Sequence, residues 1–295
     1  AELAMDEAEA LVLLAELGLD VGDDLARLLE RTEGWPAAIY LSALALRSGA
    51  AATSIGDVAG HDRFLADYLR QEVLDPLSPA DLQFLVRTSI LDRMSGPVCD
   101  HILETEGSSR VLARLEESNL LVTALDRSQT WYRYHALLRD FLTAELHKHE
   151  PHLLPDLHAR AASWFEEHGF PELAIDHARA AGDTDRTAAL VSRSLRVTYA
   201  RGRTETLTGW LDWLEAEGVC SRHPSLAAAG SFVRSLEGDA GGADRLAAYA
   251  FADSEGNPLA DDVLEPLALL LRSSRAPKGP ELAVEDARAA QAGLA

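Results

Sequence analysis

The chain has 295 residues, more than one ordinary compact domain needs, so two or three structural units are expected. It contains 27 Lys and Arg and 48 Asp and Glu, and the resulting net charge of −21 disfavours contact with a phosphate backbone. Direct nucleic-acid binding by this chain is therefore not expected. Hydrophobic residues make up 47% and aromatic residues only 6%, and the prevalence of Ala and Leu predicts a mainly α fold.

The two cysteines, Cys99 and Cys220, are far apart and lie in helical surroundings, which predicts reduced core residues rather than a disulfide framework. No apolar run reaches membrane-spanning length, and the first residues lack the basic start of a signal peptide. The chain also opens without Met, inside a helical pattern. These features predict a segment of a larger cytoplasmic protein with no membrane contact.

The first part of the chain, residues 1–50, predicts three helices. Leucines at helical spacing mark the first two, over 5–17 and 24–32. Pro36 suits the first position of the third helix, because its missing N–H has no helical partner there. The small, turn-prone residues of 49–60 then predict a linker.

Residues 61–150 begin with helical patterns. A helix is predicted over 63–74, and Ser78 followed by Pro-Ala-Asp has the features of a capped helix start. Two short helices are predicted over 97–103 and 109–118.

The strongest β signal follows. Two β-rich runs, 120–125 and 130–134, flank a short polar turn and predict a hairpin, and a long helix is predicted over 135–147. Three helices, a hairpin and a closing helix describe a winged-helix domain.

The remainder, 151–295, is helical with short connections. Gly169, Gly202 and Gly238 lie 33 and 36 positions apart (202 minus 169, and 238 minus 202), close to the period of roughly 34 residues of tetratricopeptide helix pairs. The match is loose after Gly202, so this part is predicted to be repeat-like. The stretch 273–295 ends in one helix with no capping unit, which predicts a truncated array.

Three passages together resemble one family. TEGWPAAIYL at 32–41 is similar to the TEGWxAGLxLAA passage of MalT-type ATP-dependent LuxR-family regulators. FLADYL at 64–69 and the following LSPADLQFLVRTSIL resemble the start of their winged-helix domain. WYRYHALLRDFL at 131–142 is similar to their WYRYHxLFxxFL signature. Order and spacing also agree over nearly the first half of the chain.

The resemblance implies a STAND-class switch ATPase: a nucleotide-binding core, a helical lid (1–50), a winged helix (61–150), a superhelical sensor (151–295) and a C-terminal DNA-reading module. No G-x-x-x-x-G-K-[ST] phosphate loop occurs, so the core is expected upstream of Ala1. This chain is therefore not expected to be an enzyme or to hold a cofactor by itself. ADP or ATP with Mg²⁺ belongs to the full-length parent, expected to be a slow switch ATPase.

The resemblance also implies nucleotide-contacting residues. A Gly-x-Pro on the lid lies against adenine in related switches, and Gly34 and Pro36 match it here, with Trp35 between them. A rigid Pro face and a nearby aromatic ring suit a purine. The alternative is that Pro36 only starts a helix and Trp35 packs in the core.

His135 is the second candidate. It opens a helix, where unpaired N–H groups and the helix dipole favour a phosphate. In related switches a histidine at this place touches the β-phosphate of ADP and locks the closed state. The alternative is a helix-start histidine bonded to a neighbouring carbonyl.

Two further clusters contain residue types that occur in binding sites. A metal site could use residues on either side of Pro151 and Pro155, but no single face is defined and a solvated connection is favoured; these residues are His147, His149, Glu150, His152, Asp156 and His158. Arg110 and Arg114 would lie on a recognition helix, but Glu116 and Glu117 beside them argue against groove entry. A protein-facing winged helix is predicted instead.

The leading hypothesis is a signal-sensing segment: the repeat helices bind an inducer or protein partner, and the winged helix relays this to the nucleotide state and to self-association. The alternative is a stand-alone helical-repeat scaffold for protein–protein interaction. An all-α enzyme is a third hypothesis, for which no nucleophile–base pair, metal spacing or glycine-rich loop is visible.

Overall fold

The architecture is known from a computed structural model that describes residues 4–19, 22–47, 63–118, 121–250, 269 and 280–294. Over these residues the chain is mainly helical with one two-stranded antiparallel sheet, which confirms the predicted mainly α fold with a small hairpin. The chain divides into two compact units, Ala1–Trp164 and Phe165–Ala295. The predicted linker over 49–60 lies outside the described residues.

The first unit opens with α1 (Glu7–Glu16), α2 (Leu25–Thr32) and α3 (Pro36–Arg47). Asp6 and Glu9 form a capping box at the start of α1, in which each side chain accepts from the backbone N–H of the other residue. Pro36 is the first residue of α3, as predicted. The three helices bury a shared apolar core, made of Ala10, Leu14, Leu25, Leu28, Ile39 and Ala43.

The next helices are α4 (Arg63–Tyr68), α5 (Pro79–Thr88), α6 (Gly96–Leu103) and α7 (Ser108–Glu117). As predicted, Ser78 caps α5: its hydroxyl accepts from the Asp81 N–H at 3.1 Å, and Pro79 holds the first position.

The helix predicted over 63–74 has the expected bounds, but its second half differs in type. It continues from α4 as a π-helix, Leu69–Leu74. The wider turn brings Leu69, Val73 and Leu74 closer to one face than an α-helix would, and all three are buried.

The hairpin consists of β1 (Val122–Ala124) and β2 (Tyr132–Tyr134), with Val122 opposite Tyr134. Its strands are shorter than the predicted runs, and in the turn between them Asp126 accepts from the Thr130 N–H at 2.7 Å. Met94 pairs with Tyr132 on the other side of β2. Helices α8 (Ala136–His149) and α9 (Leu154–Glu167) follow the hairpin.

The second unit contains α10 (Pro171–Ala180), α11 (Thr184–Ala200), α12 (Thr204–Ala216), α13 (Pro224–Glu237), α14 (Ala240–Ala250) and α15 (Pro280–Leu294). Gly169, Gly202 and Gly238 each have a positive φ and lie in a turn between consecutive helices. Helices α13 and α14 pack closely, and the Ser231 hydroxyl donates to the Ala243 carbonyl at 2.6 Å. The tetratricopeptide-like repeat itself stays a prediction.

Both cysteines are buried and unbonded, as predicted. Burial raises the pKa of the Cys220 thiol to about 11 and raises that of Cys99 further. In the part of the chain that the structure describes, no helix combines the length and apolar character needed to cross a membrane.

Candidate functional site

The four predicted site residues lie around the end of α2 and the start of α8. Gly34, Trp35 and Pro36 connect α2 to α3, and His135 connects β2 to α8. Helices α2 and α8 are in contact within the first unit. The structure therefore brings the TEGWP and YRYH passages together, although they are far apart in sequence.

The turn after α2 has an unusual backbone. Glu33 and Gly34 both have positive φ, at 48° and 73°. The Gly34 carbonyl accepts from the Met5 N–H at 2.7 Å, and a Cβ at position 34 would lie only 2.7 Å from the Met5 carbonyl oxygen. Close approach at Gly34 is thus made by the protein's own backbone.

Glu33 joins this turn to the winged helix. Its two carboxylate oxygens each accept from Arg133, at 2.6 Å, and one of them also accepts from the Ala136 N–H at 3.1 Å. Burial raises the pKa of Glu33, but the hydrogen bonds from Arg133 and Ala136 outweigh it and hold that pKa below its usual value. Glu33 is therefore an ionised cap for α8 as well as an ion-pair partner.

His135 is buried and has a partner at each ring nitrogen. Its Nδ1 accepts from the Leu137 N–H at 3.3 Å, which makes His135 the N-terminal cap of α8. An accepting Nδ1 places the proton of the neutral ring on Nε2, which then donates to the Thr32 carbonyl at 2.9 Å. Burial lowers the pKa of His135 despite the nearby Glu33 carboxylate, so the ring is neutral at pH 7.

Trp35 lies beside this histidine. Its ring meets His135 edge-on at 5.6 Å between ring centres and meets Tyr68 edge-on at 5.7 Å. Trp35 and Pro36 are both half-buried, so each keeps some accessible apolar surface. An aromatic ring, a proline face and a histidine N–H donor are thus placed close together in this part of the first unit.

The donor chemistry here suits an anion such as a phosphate, since it offers N–H groups and the start of a helix. In this arrangement, however, the His135 Nε2–H donates to Thr32 and the first N–H of α8 donates to Glu33. A phosphate could contact His135 only by replacing the Thr32 carbonyl as acceptor. The bond to Thr32 also matches the alternative interpretation of a helix-start histidine bonded to a carbonyl, so the nucleotide role of His135 stays a prediction.

Sequence reasoning missed Glu33 and Arg133 as functional candidates. Each is adjacent to or near a predicted site residue, within a passage that carries the family resemblance. Their location in these passages could have marked them as candidates. Their pairing could not be predicted, because residues 100 positions apart are brought together only by the fold. A second ion pair, Arg31–Asp140 at 3.0 Å, also joins α2 to α8.

The histidine-rich connection after α8 contains separate pairs. Glu150 accepts two bonds from Arg87, at 2.8 and 2.9 Å, and His149 lies 3.5 Å from Glu145. Among the described residues, no group of three or more His, Cys, Asp or Glu side chains is arranged to hold a metal ion. On α7, Arg114 pairs with Asp81 of α5.

Comparison with known proteins identifies the domain that carries His135. Residues 70–154 match the MalT winged helix domain. The HTH-type transcriptional regulator MalT of Klebsiella pneumoniae is 35% identical over 164 residues, 55% of this chain and 18% of that protein. MalT of Yersinia pestis is 34% identical over 168 residues, 56% of this chain and 18% of that protein.

A second kind of relative matches over a longer stretch. The serine/threonine-protein kinase PknK of Mycobacterium tuberculosis is 32% identical over 225 residues, 75% of this chain and 20% of that protein. The chain thus spans about a fifth of the length of these relatives. It is MalT-like over about half its length and includes a winged helix of the MalT type.

Proposed function

We propose that this chain is the regulatory and signal-sensing segment of a MalT-like, LuxR-family transcriptional regulator in the bacterial cytoplasm. In this proposal the helices of 151–295 bind an inducer or protein partner, and the winged helix couples that event to the ADP or ATP state of a STAND-class core upstream of the lid. Direct nucleic-acid and membrane contacts are not part of the proposal. The observation that carries it is the joint between Glu33 of the lid and Arg133 and His135 of the winged helix.

In this proposal the joint is the route from signal to nucleotide. ADP or ATP with Mg²⁺, held by the core, would supply phosphate charge and an adenine ring. Pro36 and Trp35 offer apolar surface for the ring, and the Nε2–H of His135 would donate to a phosphate oxygen in place of the Thr32 carbonyl. Movement of the winged helix would carry His135 away from the lid and favour nucleotide exchange and self-association.

The test is calorimetry of ADP binding to a longer protein that includes the core, with His135→Ala as the variant and exposed His152→Ala as the matched control. Loss of one charge-assisted hydrogen bond should weaken ADP binding by about tenfold, speed ADP release and raise basal activity. Wild-type behaviour is expected for the control. An unchanged rate of ADP release in His135→Ala would contradict the proposal.

The kinase match favours a second candidate function. Because PknK aligns over 75% of the chain, the same segment could regulate a kinase domain rather than a DNA-reading module. The two candidates differ in output: inducer-dependent promoter activation supports the first, and inducer-dependent phosphate transfer supports the second. A stand-alone repeat scaffold would show neither, and ADP would not bind the longer protein.

A further inference from the structure

The C-terminus of α2 and the N-terminus of α8 each form a hydrogen bond with the segment that carries the other helix end. The C-terminus of α2 leaves carbonyls without helical partners, and the one on Thr32 accepts from the Trp35 N–H at 2.8 Å and from the His135 Nε2–H at 2.9 Å. The N-terminus of α8 leaves N–H groups without helical partners, and Glu33 accepts from the first of them, on Ala136. The lid and the winged helix therefore cap each other.

The two caps are also mechanically linked. Thr32 and Glu33 are adjacent in a turn whose backbone is held by the Leu29 carbonyl, which accepts from the N–H groups of Glu33 and Gly34. On the other side, Arg133 of β2 and His135 are separated by a single residue, and both precede α8. A shift of the turn large enough to break one cap must therefore displace the other.

We propose that these two caps form one cooperative latch, in which Thr32 and Glu33 release His135, Ala136 and Arg133 together. Its use as a regulatory switch rests on the proposed function, whereas the latch itself is a property of this chain. In this latch Glu33 is the linking residue, since it contacts both Arg133 and the start of α8. Opening would free the His135 N–H and the first N–H of α8 in the same event.

A neighbouring ion pair supplies a matched control. Arg31 and Asp140 also join α2 to α8, through a bond of 3.0 Å between side chains 39% and 31% exposed. This bond joins two side chains and does not involve a helix end. Asp140→Asn thus removes one charge and one link between the same helices while leaving both caps intact.

The experiment measures hydrogen exchange by NMR in this chain without nucleotide. Glu33→Gln keeps the size of the side chain but loses its charge and one paired acceptor. We expect exchange at the Ala136 amide to rise about tenfold, and exchange at the His135 Nε2–H to rise by a similar factor although that bond is not altered. Asp140→Asn should leave both rates near wild type, and amides of the buried residues Ala10 and Leu14 report that α1 remains folded.

The reverse variant tests the same coupling from the other side. His135→Asn keeps a good N-terminal cap for α8 but is too short to reach the Thr32 carbonyl. The latch predicts faster exchange at the Ala136 amide, through weakened contact with Glu33. If each variant affects only its own cap, or if Asp140→Asn loosens both, the latch is wrong. Because no nucleotide is used, such a failure leaves the ADP result for His135→Ala independent of it.

Discussion

Glu33 and Arg133 stand 100 positions apart in the chain and meet through two parallel N–H···O bonds of 2.6 Å each. The side chains remain 26% and 37% exposed, so burial alone does not make this pair strong. Its strength comes from the bidentate geometry and from the third bond that Glu33 accepts at the start of α8. The pair is therefore sensitive to the shape of the cation as well as to its charge.

Replacing Arg133 with Lys should lower the free energy of unfolding of the first unit by roughly 1–2 kcal/mol. Lysine keeps the charge but cannot donate to both oxygens of Glu33 in parallel. Urea unfolding followed through the amides of α2 and α8 measures the change. Arg139→Lys is the control, because its partner Asp92 is 69% exposed, and it should cost less than about 0.5 kcal/mol. Equal costs for the two variants would contradict the role of bidentate geometry.

Gly34→Ala should destabilise the first unit by roughly 2–4 kcal/mol. The alanine would have to keep a positive φ, which strains its backbone. Its Cβ would also lie only 2.7 Å from the Met5 carbonyl oxygen. Gly18→Ala isolates the first effect, because Gly18 has the same φ of 73° but no atom within 4 Å of the added Cβ. It should cost about 1 kcal/mol. Thermal unfolding of both variants tests the difference, which should vanish if the Met5 contact is unimportant.

In the second unit, Gly230→Ala and Gly209→Ala should change the free energy of unfolding in opposite directions. A Cβ at Gly230 would lie 2.9 Å from a methyl of Leu211 and 3.1 Å from one of Leu246, so crowding should cost roughly 1–3 kcal/mol. A Cβ at Gly209 of α12 meets nothing within 4 Å, and alanine there should stabilise by roughly 0.5–1 kcal/mol through its helix propensity. Calorimetric melting measures both. Destabilisation by Gly209→Ala would show that α12 is packed differently.

His158 should make the free energy of unfolding depend on pH. Burial, together with the nearby His147, lowers the pKa of His158 to about 4. In the unfolded chain a histidine titrates near pH 6.5, so acidification first protonates the unfolded state and favours it. The contribution is present above about pH 6.5 and is lost progressively as the pH falls towards the folded pKa.

Between about pH 7 and about pH 5, wild type should lose about 2 kcal/mol more unfolding free energy than His158→Gln. The comparison with the variant removes the effect of carboxylates that titrate in both proteins. Urea unfolding at each pH measures the difference. Parallel pH profiles would mean that His158 is accessible to solvent and titrates normally.

Local elements of this protein follow from sequence because their causes are local. Ser78 and Pro79 start α5, Pro36 starts α3, and Gly202 lies in a turn, each through backbone preferences that act over a few residues. The mainly α fold follows in the same way from composition and leucine spacing. The π-helix at Leu69–Leu74 was not predicted, because helical periodicity alone does not distinguish a wider turn that the core selects.

The helices, the hairpin and the resemblance that points to Gly34, Trp35, Pro36 and His135 follow from the sequence alone. The pairing of Glu33 with Arg133 and the bond from the Nε2–H of His135 to Thr32 follow only from the packing of the folded chain. The physical reason is range. Helix starts and turns depend on neighbours in the chain, whereas the partner of a buried donor depends on which distant backbone the packing of α2 against α8 places within 3 Å of it.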